Sequence, residues 1–230
     1  MASQFVGALY PWVSRDRLEA YRPPNGSDLD MAVTYLYSIV LSEALYTPLG
    51  VLEVTLRNGV HAALTASYGS PAWYDLRGVL EPNQADDVVR AKRRIAALGK
   101  PVNPGRVVAD LHFGFWVSLL SSLYDARFWR PDKARLLKRA FPNIPVPLRQ
   151  RTTIYARYNT LRALRNRVFH HEPIWNRPTL VQDYRTLYEA IEWISPDMAA
   201  ACRLVDRFPA VLTNGRSSVE AALKQHLGLS

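Results

Sequence analysis

The sequence predicts an all-α fold, and three observations predict it. Apolar residues recur at three- and four-residue spacing along most of the chain, which is helical periodicity. Capping residues, prolines and glycines punctuate these stretches where helices would start and stop. With 230 residues, of which 48% are hydrophobic, the chain can bury a substantial core, so residues 1–230 are expected to form a single domain.

Ser14 can cap a short helix running through Tyr21, and RPPNGSD then turns the chain. Ser27 or Asp28 can cap a helix from about Leu29 to Tyr46. Thr47 and Pro48 are expected to start a second helix, ending near Tyr68 at the stop Gly69 and pairing antiparallel with the first. Pro82 to Leu98 reads as an exposed helix stopped by Gly99. Arg106 to about Trp129 reads as one helix, buried on several sides by its aromatic content, with Gly114 permitting close packing. A shorter helix is expected from Asp132 to Ala140, then FPNIPVP, then the long helix of about Leu148 to Glu172, stopped by Pro173. Leu180 to Ile194, Asp197 to Phe208 and Ser217 to Leu227 complete the set.

No apolar run approaches the roughly 18 residues needed to cross a bilayer, and MASQFVGALYPW has no basic start and apolar stretch of a secretion signal. A cytoplasmic protein with no membrane partner is the expectation. Cys202 is the only cysteine and reads as a buried structural thiol, so neither a disulfide nor a CxxC metal pair is expected. The five histidines show no HExxH or comparable ligand spacing, and no glycine-rich phosphate loop precedes a Lys-Ser or Lys-Thr. No metal and no cofactor is therefore expected.

The net charge of +9 is concentrated. Residues 130–177 hold twelve Lys or Arg against two acids, a surplus of +10, while the rest of the chain comes to −1. Such a stretch is the footprint of a polyphosphate partner such as RNA, or else a solvated helix face. Within it, Arg157, Arg162, Arg167 and Arg177 are the candidate RNA-binding residues. Tyr155, Tyr158 and Trp175 can stack on bases or belong to the core.

The helix of about 148–172 carries LRALRNRVFHHEPIWNR, where Arg165 is followed at once by Asn166 and, after four more residues, by His170. At about 100° per residue, Asn166 and His170 share a face with Arg162 one turn below, opposite an apolar stripe of Ile154, Leu161, Leu164 and Val168. Arg165 and His170 are rotated about 140° from each other, so one helix does not aim both at a single atom. Two readings stand side by side at this point. Arg and His at a helix C-terminus can simply satisfy carbonyls and the dipole before a proline; alternatively, these residues form a site.

The string resembles the signature of the HEPN superfamily, an Arg, four to six residues and a His, with a polar residue after the Arg. More closely, LRNRVFHHEPIWNR is similar to the LRN, HH and WN stretch of the Abi-like abortive-infection proteins, and LGVLEVTLRNGV and LHFGFWVSLL are similar to other stretches of that family. The resemblance spans roughly Leu29 to Trp193. It implies a HEPN-like helical bundle with additional helices, and a homodimer in which two motif helices face each other and complete a composite site. It also implies a toxin or abortive-infection endoribonuclease held in check by an RNA or protein antitoxin.

The residue types suit metal-free RNA cleavage, in which the 2′-hydroxyl attacks the adjacent phosphorus and leaves a 2′,3′-cyclic phosphate and a 5′-hydroxyl. An imidazole at position 170 fits acid/base work near neutrality. The Arg165 guanidinium can hold two phosphate oxygens as charge develops on them. The resemblance gives Asn166 a polar supporting role. His171 is even between support and structure, and Glu53 and Arg57, four apart on a helix expected to lie near the motif, read first as an ion pair and second as supports for Arg165. A non-catalytic RNA-binding module and a protein-interaction scaffold remain the alternatives.

Overall fold

A computed structural model describes residues 1–129 and 134–229. Those residues are all-α: eleven α-helices and several single turns of tighter or wider helix, with no strand among them. They gather into two compact units, one built from residues 1–48, 164–182 and 204–229, the other from 49–163 and 183–203.

The first unit starts with α1 (Ala2–Val13), which lies ahead of the first helix expected from the sequence. Ser14 then caps α2 (Arg15–Glu19), its hydroxyl accepting from the Arg17 amide at 3.4 Å. A capping box opens α3 (Asp28–Tyr68): the Asp30 amide donates to the Ser27 hydroxyl, while the Asp30 carboxylate accepts from the Ser27 amide and hydroxyl. These bonds hold the Asp30 carboxyl below the usual range. Val6, Leu18, Tyr21, Met31, Val33 and Leu223 form the unit's buried cluster, with Trp175 packed against it.

The expectation of two helices meeting at Thr47 is corrected, because α3 continues through Pro48 for 41 residues. An interior proline costs about 3 kcal/mol. On either side of it, however, Leu41, Leu45, Leu49, Leu52, Leu56 and Val60 hold one helical spacing and are at most 1% exposed. Each such side chain contributes about 1.5–3 kcal/mol by burial, so the unbroken row outweighs the break. By length and composition α3 is also apolar enough to cross a membrane, contrary to the reading of the apolar runs, although half of its most apolar stretch is buried within the protein.

The second unit holds α4 (Pro82–Ala97), α5 (Pro104–Asp110), α6 (Phe113–Ser118), α7 (Ala134–Ala140), α9 (Leu180–Glu192, from residue 183) and α10 (Pro196–Arg203). The expected start of α7 at Asp132 lies outside the described residues. The expected helix of 106–129 is broken into α5, α6 and two further turns. Leu111 is extended, and His112 Nδ1 accepts from the Phe115 amide at 3.1 Å, starting a new helix. Phe113, Phe115, Trp116, Val117, Leu119 and Leu120 are all buried, as the apolar content foretold.

Two glycines allow close approach here. A Cβ on Gly114 would lie 3.1 Å from the His112 ring, and one on Gly59 would lie 2.9 Å from Ile194 Cγ2 and 3.1 Å from the Ala140 carbonyl oxygen. Gly59 is therefore a packing residue of the LRNG stretch. His61 is structural too: its Nδ1 accepts from Trp73 Nε1 at 3.0 Å, and burial lowers its pKa, favouring the neutral ring that can accept. Cys202 is buried, with the Tyr188 hydroxyl donating to its sulfur at 3.3 Å.

α8 runs from Arg151 to Phe169, shorter at both ends than the expected 148–172. Pro145 and Pro147 leave Val146–Leu148 as a tight turn, so the first helical bond is from the Ile154 amide to the Gln150 carbonyl. The chain ends with α11 (Phe208–Leu227), two helical stretches that meet at a non-helical Gly215; the second restarts beside Ser217 and ends at Leu227 as expected, whereas the stretch from Phe208 was not anticipated.

Candidate nucleic-acid site at the end of α8

The apolar face of α8 is as expected. Ile154, Tyr158, Leu161, Leu164 and Val168 are all fully buried. Tyr158 belongs to the core and donates to the Ala190 carbonyl at 2.8 Å, with burial pushing its pKa well up.

Arg165, Asn166 and His170 sit on the last turn of α8 and the residue after it. The half-buried Arg165 guanidinium lies 4.1 Å from the centroid of the Phe169 ring, one helical turn on. The Phe169 ring meets Tyr46 edge to face at 4.7 Å. A cation over a ring is worth about 0.5–2 kcal/mol, enough to bias a flexible side chain toward one orientation. Asn166 is half-buried, and among the described residues its amide has no hydrogen-bond partner. The His170 ring is exposed and likewise makes no hydrogen bond or ion pair among the described residues. No bond links the Asn166 amide to His170.

The helix ends by backbone geometry rather than by imidazoles. The Glu172 amide donates to the Arg167 carbonyl at 2.8 Å and the His171 amide to the Val168 carbonyl at 3.2 Å. His171 is left-handed at φ 55°, so this is a Schellman end with histidine where glycine is usual. The segment is also held from outside: Arg17 donates to the His171 carbonyl at 2.6 Å and the His170 carbonyl at 3.5 Å, and the Tyr21 hydroxyl donates to His171 at 3.3 Å. Burial raises the Tyr21 pKa while the neighbouring Arg17 pulls it back. His171 thus ends the helix through its backbone, and the side chain of His170 takes no part in ending it.

Left-handed backbone costs an L-residue roughly 1 kcal/mol that glycine avoids. His171→Gly is accordingly expected to raise stability by about 0.5–1 kcal/mol, read as a higher denaturation midpoint. A lower midpoint would show that the ring itself supports the turn.

The other sequence candidates are placed as follows. Arg157 donates to Glu189 at 3.1 Å and Thr186 at 3.2 Å and stacks on Trp193, which ties it to the helix it packs on. Arg162 is exposed, with its guanidinium on Asn159. Arg167 is half-buried and donates to the Pro173 carbonyl at 2.7 Å, with Glu172 at 3.8 Å, so it helps hold the turn. Arg177 is half-buried. In the other unit Glu53 is half-buried, and Arg57 reaches the Ala109 carbonyl and the Asn58 amide oxygen, both at 3.4 Å.

Sequence reasoning missed Arg17, Tyr21, Phe169 and Tyr46. Phe169, four residues after Arg165, was findable by helical spacing. Nothing in the sequence links Arg17 and Tyr21 to residues about 150 positions later. Among the described residues, no three His, Cys, Asp or Glu side chains gather where a metal could bind. No family model matches the chain, and no curated protein or solved structure matches it either.

Proposed function

We propose that this chain is a metal-independent endoribonuclease of the HEPN type, acting in the cytoplasm as a toxin or abortive-infection protein under an RNA or protein antitoxin. The observation that supports this reading is the Asn166 amide and His170 ring left unspent by the fold, the one directly after Arg165 and the other five residues beyond it, with Arg165 on its aromatic seat. His170 moves the proton between the 2′-hydroxyl, the leaving 5′-oxygen and solvent. Arg165 holds the phosphate oxygens as negative charge builds on them. Asn166 orients the phosphate through its amide.

One copy of the motif does not converge on one atom. Five residues separate Arg165 and His170 by roughly 7.5 Å along the axis and about 140° around it, so a second copy has to supply the partner group. The protein is therefore a homodimer in this reading, and sedimentation at working concentration should show one. A monomer that still cleaves RNA would remove the composite site. The decisive experiment is incubation of purified protein with single-stranded RNA in excess EDTA, with product ends identified. Cyclic-phosphate and 5′-hydroxyl ends support the reading; intact RNA that nonetheless binds leaves the non-catalytic RNA-binding module.

A further inference from the structure

Beside the motif lies a cavity of about 570 Å3, walled by α1, α2, the first half of α3 and the turn after α8. Its lining divides by chemistry. The rings of Trp12, Tyr35 and Tyr46 supply flat apolar surface, and Trp12 is 85% exposed at the rim. Arg17, the Tyr21 hydroxyl and His171 form a polar end.

Charge separates these groups further. The two carboxylates at the lining are both matched, Glu43 by Arg207 at 2.7 Å and Glu172 by Arg167 at 3.8 Å. Arg17 differs: its bonds go to the carbonyls of His170 and His171, and no carboxylate lies within ion-pairing distance of it among the described residues. Neutral carbonyls fix its position without cancelling its charge, leaving a held cation at one end of an aromatic-walled hole. The ring of Tyr46 that lines the hole touches Phe169, and Phe169 carries the Arg165 guanidinium. The cavity and the candidate catalytic arginine are thus joined through two ring contacts.

Stacking rings beside a fixed guanidinium match a nucleotide, whose base offers a flat face and whose phosphate offers charge for bidentate Arg contact. We infer that this cavity holds one nucleotide of the RNA next to the cleaved bond, its base among Trp12, Tyr35 and Tyr46 and its phosphate on Arg17. This inference rests on the RNA-directed reading of Arg165 and His170. An apolar ligand would leave Arg17 unused, and a protein segment would have no need of three rings together with a held cation.

The test uses the full chain, the four nucleoside 5′-monophosphates and a short single-stranded RNA, with binding followed by calorimetry and tryptophan emission. Ser42 lines the cavity from α3, and Ser42→Leu fills it from inside. Trp12→Ala removes an exposed ring with little risk to folding. We expect at least one monophosphate to bind and to compete with the RNA. Ser42→Leu should weaken both at least about tenfold with unchanged circular dichroism, and Trp12→Ala should weaken them roughly five- to hundredfold, the range for loss of one stacking ring. The assignment is overturned if no monophosphate binds at millimolar concentration, if one binds without competing with RNA, or if both variants bind like the parent. Competition and both losses in a protein that cuts no RNA would uphold the cavity and sink the nuclease reading. Cleavage by His170 with both variants unaltered would do the reverse.

Discussion

His170→Ala is expected to lower the rate of RNA cleavage in EDTA by at least about a hundredfold, the lower range for removing a positioned general acid or base, while leaving RNA affinity nearly unchanged. The exposure of the ring makes this a clean test. No hydrogen bond or ion pair of the fold depends on it among the described residues, and the carbonyls around it are held by Arg17 and Tyr21, so its removal leaves the turn intact. Arg165→Ala should reduce rate and affinity together, because a phosphate contact made in the ground state strengthens as charge develops. Arg167→Ala, which the sequence would suggest as an affinity control, is unsuitable: its guanidinium secures the Pro173 carbonyl at 2.7 Å, so its loss loosens the site itself. Exposed Arg162 is the proper control, and Arg162→Ala should weaken binding with little effect on the rate of bound RNA. Wild-type cleavage persisting in His170→Ala would falsify the assignment.

What the sequence made legible follows from how local each cause is. The caps at Ser14 and Ser27, the stop at Gly99 and the buried stripe of α8 are each decided within a few residues, and each is found where the sequence placed it. Pro48 does not end its helix because the local rule, proline ends helices, is outweighed by a row of leucines whose burial only the folded chain displays. The same holds for 106–129, where a histidine cap at His112 interrupts what periodicity alone would continue. At the site, Arg165, Asn166 and His170 were readable as a motif. The device that holds the turn after them is not local, since Arg17 and Tyr21, which bond the His170 and His171 carbonyls, come from a five-residue helix and the residues just after it, far away in sequence. The basic stretch looks uniform in sequence, whereas among the described residues ion pairing separates eight of its cations into two kinds.

That sorting sets the size of the salt effect. Of the basic residues in 130–177, Arg151 is paired with Asp125 at 2.8 Å, Arg157 with Glu189 at 3.1 Å and Arg167 with Glu172 at 3.8 Å, so their charges are already matched. Arg135, Lys138, Arg139, Arg149 and Arg162 have no carboxylate within ion-pairing distance among the described residues, and all five belong to the second unit. For single strands the logarithm of affinity falls with the logarithm of salt by about 0.7 per phosphate neutralised, so these five contacts on their own give a slope of roughly −3.5, to which the phosphate contacts proposed for Arg165 and Arg17 add. Raising monovalent salt from about 50 to about 200 mM should then weaken RNA binding by at least about a hundredfold. Had all twelve cations contacted phosphate, the loss would exceed ten-thousandfold by the same relation. Arg162→Ala should shallow the slope by about 0.7, whereas Arg157→Ala should leave the slope in place and lower stability through loss of its contacts with Glu189, Thr186 and Trp193. A slope near zero would mean that the basic surplus is a solvated helix face and would remove the electrostatic support for an RNA substrate.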